Sequence, residues 1–176
     1  MIMNFDFLIL DFIQEYIKNP VFDFIMPKVT VLGNAGIIWI ITAIVLLLIP
    51  KYRKSGAALA TGLVACLLLG NIVLKPLVAR VRPFDVIEGV KLLIAAPTDF
   101  SFPSGHTYSS VVGASVLTMA DKRFGYVAIP LAVIIAFSRL YLYVHYPTDI
   151  LGGIILGGVI SIGVYFIFFR QNSSAK

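Results

Sequence analysis

Charge is scarce in this chain of 176 residues, where Asp, Glu, Lys and Arg together make up 13%; a soluble domain carries about 25%. Cysteine is scarcer still. Cys66 stands alone, so no disulfide closes within the chain and a metal site built on cysteines is excluded. Also missing is any cluster of basic residues on a polar element, which a nucleic-acid reader would need. The 14 Lys and Arg lie scattered between apolar runs, so nucleic acid is not an expected partner in spite of a formal net charge of +5. The N-terminal stretch has no basic region ahead of its apolar residues, and it carries Asp6, Asp11 and Glu15 inside them. It is not expected to be a signal peptide.

What fills the chain is apolar: 59% hydrophobic residues and a mean hydropathy of +0.95. This composition rules out disordered, collagenous and disulfide-framework classes and makes an integral membrane helical bundle the expected all-α fold. The length suits one domain, residues 1–176, because five spans of about 20 residues each leave only enough for connections.

Long apolar segments run from Thr30 to Ile49, Ser55 to Leu74, Phe124 to Tyr143 and Asp149 to Phe169. Each can cross about 30 Å of hydrocarbon at roughly 1.5 Å per residue. Thr107 to Ala120 is shorter and rich in Ser, Thr, Gly and Ala. Small residues let helices approach closely in lipid, so it reads as a fifth span buried at the centre. Ahead of the spans, Asp11, Glu15 and Lys18 share a helical face, which predicts an amphipathic helix lying at the interface within residues 1–28. Asn19-Pro20 ends it. In the last span Gly152-Gly153 and Gly157-Gly158 repeat at four residues, a pattern that suits packing within the bundle.

Basic residues divide seven against seven between the two faces that an up-and-down topology creates. Setting aside Lys75, Arg82 and Arg139 as site residues makes it seven against four, which places the Lys51 to Lys54 loop in the cytoplasm and the Ala79 to Pro103 loop outside. Acids divide eight outside to one inside, Asp121, but acids are weak topology markers.

Ionisable residues at membrane depth or at span ends are costly and point to function. Three groups fall on the same predicted face. The first closes the second span: Lys75 and, seven residues on, Arg82-Pro83. On a continuing helix the two face the same way, although a snorkelling basic flank would look alike. The second is Pro103-Ser104-Gly105-His106, opening the short span. Serine is a favoured N-cap, the free N–H groups attract anions, and glycine lets a ligand approach the backbone, although such a turn also serves as a plain cap. The third is Ser138-Arg139, five residues, His145, three residues, Asp149. Pro147 predicts the first turn of the last helix, with His145 just before it, and a carboxylate there can hold one imidazole nitrogen and aim the other.

Together these groups hold both histidines of the chain, two arginines, a lysine and a helix N-terminus. Arginine forks and backbone N–H groups suit phosphoryl oxygens, one histidine can attack phosphorus and the other can protonate the departing oxygen. Too few carboxylates remain for a convincing metal site, and no cofactor is expected.

Lys75 with six residues to Arg82-Pro83, Pro103 to His106, and Ser138-Arg139 to His145 and Asp149 resemble the three-part signature of the type 2 phosphatidic acid phosphatases. That superfamily of lipid phosphate phosphatases also holds vanadium haloperoxidases and bacterial acid phosphatases. The resemblance implies that His145 is the nucleophile forming a phosphohistidine, Asp149 orients it and His106 is the general acid. It assigns Lys75, Arg82, Ser104, Gly105 and Arg139 to the phosphoryl oxygens. It further implies a lipid substrate met at the outer face of the plasma membrane: undecaprenyl diphosphate by analogy with small bacterial members, then phosphatidic acid or phosphatidylglycerol phosphate. Tyr108, Tyr141, Tyr143 and Tyr146 lie near that face, as an aromatic belt or as substrate contacts. A phosphotransferase with a non-water acceptor and an anion channel or carrier are the alternatives. A haloperoxidase fits less well, since those members are soluble.

Overall fold

The computed structural model describes residues 5–87 and 89–170. Glu88 and Lys176, which enter the charge tally above, lie outside the described residues. Every regular element among the described residues is helical: α1 Phe5–Phe12, α2 Pro20–Gly33, α3 Ile37–Leu48, α4 Arg53–Ala65, α5 Lys75–Val78, α6 Pro83–Val86, α7 Gly105–Ala120, α8 Lys122–Tyr141 and α9 Pro147–Phe168. A widened π-type turn prolongs α1 over Ile13–Ile17, and another joins α4 to α5 over Cys66–Leu74.

Among the described residues, four helical stretches are long and apolar enough to cross a membrane: Pro20–Leu48, Pro50–Val86, Lys122–Tyr141 and Pro147–Phe168. Their outer faces carry Ile, Leu, Val and Phe, while Gly, Ala, Ser and Thr supply much of the interior. This is the inverse of a soluble protein and follows from lipid being as apolar as leucine. α7 sits in the middle, packed on α4, α8 and α9, with Thr107, Tyr108, Ser109, Ser110, Val112 and Val116 all buried. Its beginning is at the site described below and its end, Asp121, is at the opposite end of the bundle, where Tyr52 and Phe124 stack 5.5 Å apart. Gly153 and Gly157 face α7 so closely that an added Cβ would lie 2.8 Å from Thr107 or from the Tyr108 carbonyl. That agrees with packing inside the bundle, although Gly158 faces open space.

The first span departs from its expected bounds of Thr30 to Ile49. It starts at Pro20, so residues 20–28 belong to it and only α1 with its π turn forms the separate N-terminal piece. Asn19 caps it, with Oδ1 accepting from the N–H groups of Val21 and Phe22 at 3.0 Å. The span is also broken: Ala35 at φ 49° and Gly36 at φ 69° turn the chain between α2 and α3. Hydropathy runs on through this point, yet irregular backbone at membrane depth is tolerated where it lines a cavity, and Gly33, Ala35 and Gly36 line one.

The second correction concerns Lys75 and Arg82, which do not share a continuous helix. α5 stops at Val78 because Ala79 turns left-handed at φ 48°, and α6 begins at Pro83. The two side chains still converge, through a turn rather than through helical spacing. α1 lies over this end of the bundle and packs on α9. With its π turn it is pinned to the end of α8 by Gln14 Nε2 donating to the Tyr141 carbonyl at 2.8 Å and to the α8–α9 connection by Tyr143 Oη donating to Asp11 at 3.1 Å.

Candidate active site

The connection from α8 to α9 is short and almost wholly buried, which fixes His145. Its backbone folds back on α8, the Val144 N–H donating to the Arg139 carbonyl at 3.2 Å, and Pro147 opens α9 as its spacing suggests. Asp149, in the first turn of α9, accepts from the Tyr146 N–H at 2.9 Å, from Ser101 Oγ, and from His145 Nδ1 at 3.2 Å, all through Oδ2. A carboxylate on Nδ1 assigns the proton to that nitrogen and leaves Nε2 unprotonated. Burial first, then the charges of Arg139 and Arg82, outweigh the pull of Asp149 and push the His145 imidazole down to about 3. It is neutral at neutral pH, as a nucleophile must be.

Nε2 faces a cavity of about 440 Å³ lined by Lys75, Arg82, Gly105, His106, Arg139 and His145, together with Asp99, Thr30 and Asn34. Six of the eight residues singled out in the sequence therefore line one space. Asp149 stands behind its wall and acts through His145. Ser104 also stands behind it: its N–H donates to the Asp149 carbonyl at 3.1 Å, and its hydroxyl accepts from Thr107 Oγ1 at 3.0 Å. Ser104 occupies the N-cap position without a side-chain bond to the helix. The N–H groups of Gly105 and His106, first in α7, have no intrahelical acceptor.

The cations are held in place. Arg82 Nη1 donates to the Val144 carbonyl at 2.6 Å and lies 3.3 Å from His145 Nε2. Arg139, buried, donates through Nη1 to Thr30 Oγ1, and its buried Nε has no acceptor among the described residues. A buried donor without a partner is rare and suits an anionic ligand. His106 Nε2 lies 3.1 Å from the Thr30 carbonyl, in the last turn of α2, and 3.0 Å from Asn34 Oδ1, at the helix break. Gly33 is what lets the ring approach, since a Cβ there would lie 2.4 Å from its Cδ2.

Asp99, Ser101, Thr30, Asn34 and Arg80 were not read from the sequence as parts of the site. Asp99 is the most consequential. It pairs with Lys75 and with Arg82 Nη2, the latter at 2.6 Å, and its carbonyl accepts from Arg82 Nε at 2.8 Å. Burial alone would raise this carboxyl, but the hydrogen bond and charge of Lys75, joined by Arg82, hold it at about 2. It is an internal anion on two of the donors expected to hold phosphoryl oxygens.

A second, larger cavity of about 940 Å³ shares Lys75, Asp99, Gly105 and His106 with the first. It runs between α3 and α4 past Ile40, Ala43, Ile44, Leu63 and Val64 as far as Leu47. From Gly36 to Leu47 is about 16 Å of helix at roughly 1.5 Å per residue. A polar pocket thus opens directly onto an apolar groove.

The PAP2 superfamily profile matches residues 55–173. The chain belongs to the PAP2 superfamily. An undecaprenyl-diphosphatase of Sulfolobus acidocaldarius is 36% identical over 70% of this chain, the match spanning 60% of that protein's length. The undecaprenyl-diphosphatase BcrC of Bacillus subtilis is 31% identical over 86% of this chain and 76% of its own. A crystal structure of a transmembrane PAP2-type phosphatidylglycerolphosphate phosphatase from Bacillus subtilis superimposes with a TM-score of 0.68 at 26% identity, covering 98% of this chain and 94% of that one. The PAP2 fold and the resemblance seen in the three motifs therefore agree, and the matched stretch contains all eight motif residues.

Proposed function

We propose that this PAP2 protein is a membrane phosphatase that removes the terminal phosphate of a lipid phosphate or diphosphate through a phosphohistidine, without a metal ion. The observation that carries the reading is His145 Nε2, freed by Asp149 and facing a cationic pocket that opens onto an apolar groove. The headgroup takes the pocket and the chain takes the groove.

In the first half-reaction Nε2 attacks phosphorus and the bond from phosphorus to the lipid oxygen breaks. His106 gives that oxygen a proton. Its Nε2–H is held by the Thr30 carbonyl and Asn34 Oδ1, so His106 acts as an imidazolium beside the anionic phosphoryl group, gives the proton from Nδ1 at the other edge of the ring and is left neutral. In the second half-reaction a water deprotonated by His106 attacks the phosphohistidine, the P–N bond breaks and inorganic phosphate leaves. Lys75, Arg82, Arg139 and the first N–H groups of α7 hold the three non-bridging oxygens as charge shifts between the attacking and leaving atoms. The donor set is cationic, suited to an anion directly rather than to a metal held by carboxylates. Beyond Asn71 and Ser109 the groove is apolar, which disfavours an anion pathway through the bundle.

Undecaprenyl diphosphate is the first choice of substrate, in line with the names of the two relatives, followed by phosphatidylglycerol phosphate and phosphatidic acid. The test is phosphate release by the purified protein from these lipids in the presence of EDTA, without an added acceptor. Release is expected, along with inhibition by vanadate. No release from any of them, or release only after a divalent ion is restored, contradicts the reading.

The site faces outward from the plasma membrane, because the turns at the opposite end carry Lys51, Arg53, Lys54, Lys122 and Arg123. Single cysteines at Ile94 or Pro97 in a Cys66→Ala background should react with a membrane-impermeant maleimide in intact cells, and one at Tyr52 should not. The reverse pattern would turn the site to the cytoplasm.

Asp99 competes with the phosphoryl group for Lys75 and Arg82. Asp99→Asn should therefore lower the Ki of inorganic phosphate about fivefold, somewhat less than the tenfold that 1.4 kcal/mol represents. A raised Ki would mean that the carboxylate organises the cations for the ligand.

A further inference from the structure

Asp149 has a second oxygen, and it is not idle. Oδ1 accepts from Arg80 Nη1 at 2.6 Å, while Arg80 Nη2 donates to Asp6 of α1 at 2.6 Å. The same Nη1 donates to Thr148 Oγ1 at 2.7 Å, and the guanidinium carbon lies 3.8 Å over the Tyr146 ring. The Arg80 carbonyl accepts from the Ser101 N–H at 2.9 Å, and Ser101 Oγ in turn donates to Asp149. Asp6, buried, also accepts from the Thr148 N–H at 2.9 Å.

We propose that Arg80, which lies outside the three-part signature, is a positioning residue that holds Asp149 against His145 and anchors both to Asp6 of the N-terminal helix. This rests on the phosphohistidine reading above. Among the described residues, every polar or ring contact of the guanidinium is to a group within three residues of Asp149 or to the helix that covers it. The left-handed Ala79 just before it, an uncommon conformation for a residue with a Cβ, turns the chain out of α5 at this point. Two carboxylates reached by one side chain call for a planar fork, which lysine lacks.

The arrangement has two effects. It fixes the carboxylate so that Oδ2, and not Oδ1, receives Nδ1. It also offsets the charge of Asp149, which otherwise draws a proton onto the imidazole. From every element packed around it, the groups facing His145 are Arg82, Ser101, Arg139 and Asp149, with Lys75, Asp99 and His106 across the cavity. Removing the Arg80 charge strengthens the pull of Asp149 against burial and the charges of Arg139 and Arg82, so the imidazolium becomes easier to form. Because only the neutral ring attacks, the acid limb of kcat/KM moves to higher pH.

The test compares wild type, Arg80→Gln and Arg80→Lys, each checked for monodispersity in detergent, by kcat, KM and the pH profile of kcat/KM. Arg80→Gln is expected to lower kcat roughly 10- to 100-fold, as for partners that orient a reacting group, with KM within about twofold. Its acid limb should rise by about 1 pH unit. Arg80→Lys keeps the charge but cannot span both carboxylates, so kcat falls while the acid limb stays near that of wild type. Should Arg80→Gln fail to fold, the kcat of Arg80→Lys decides alone. A wild-type kcat in either folded variant, a loss confined to KM, or an unmoved acid limb in Arg80→Gln overturns the inference. Those outcomes leave the phosphatase reading standing, whereas a wild-type protein that releases no phosphate removes both.

Discussion

His145→Ala should abolish phosphate release, lowering turnover by about 10⁴ or more, beyond the roughly 10² to 10⁴ typical of losing a general acid or base. The alanine removes the atom that bonds to phosphorus, and water at the same place would meet the pocket without an activated nucleophile. The fold should survive. Asp149 keeps the Tyr146 N–H, Ser101 and Arg80 as donors, so no buried carboxylate is stranded. The void also opens onto the cavity that His145 already lines, so the neighbouring side chains lose little packing. The measurement is turnover of purified, monodisperse variant on the best substrate. A residue of more than about a tenth of wild-type turnover would show that another group attacks phosphorus.

The second large effect separates proton transfer from charge stabilisation. His106→Ala should lower kcat/KM on a lipid monophosphate by about 10² to 10⁴ and on a diphosphate of the same chain by clearly less, because an alkoxide needs a proton to depart and a phosphate is far less basic. Arg139→Ala should instead reduce both substrates alike, by roughly 10² to 10³, since it removes a donor to the phosphoryl group that they share. Equal losses for His106→Ala on the two substrates would reduce His106 to positioning the phosphate. The contacts of its Nε2 with Thr30 and Asn34 would then serve to hold the ring for that purpose.

Six of the residues that line the pocket or act through it were legible in the sequence for one physical reason. Lys75, Arg82, His106, Arg139, His145 and Asp149 are ionisable groups at span ends in a chain with few such groups, and an up-and-down bundle brings alternate span ends together. The identity of the family was equally legible, through spacings that cover Lys75 to Asp149. What sequence could not show was pairing across distance. Asp6 and Arg80 lie 74 positions apart, one an acid in an apolar run and the other a cation in a loop, and only the fold joins them around Asp149. Asp99 sits in a connection without periodicity, so nothing local marks it as the partner of Lys75 and Arg82. The break at Asn34 to Gly36 is a different kind of omission. Gly33-Asn34-Ala35-Gly36 carries a turn signal, but hydropathy continues across it, and a span read by hydropathy hides a turn that exists to receive His106. The helix assumed to carry both Lys75 and Arg82 failed for a similarly local reason, the left-handed turn at Ala79, whose side chain gives no hint of it.

The central claim is the covalent step at His145, and the most direct measurement is rapid-quench trapping with a lipid diphosphate labelled in its terminal phosphate. The wild-type protein should carry label that is stable in base and released by acid, as a phosphoramidate is, mapping to His145 and disappearing at the rate of phosphate release; His145→Ala should carry none. Phosphate released at full rate without labelled protein at any quench time, or label retained in His145→Ala, would contradict it.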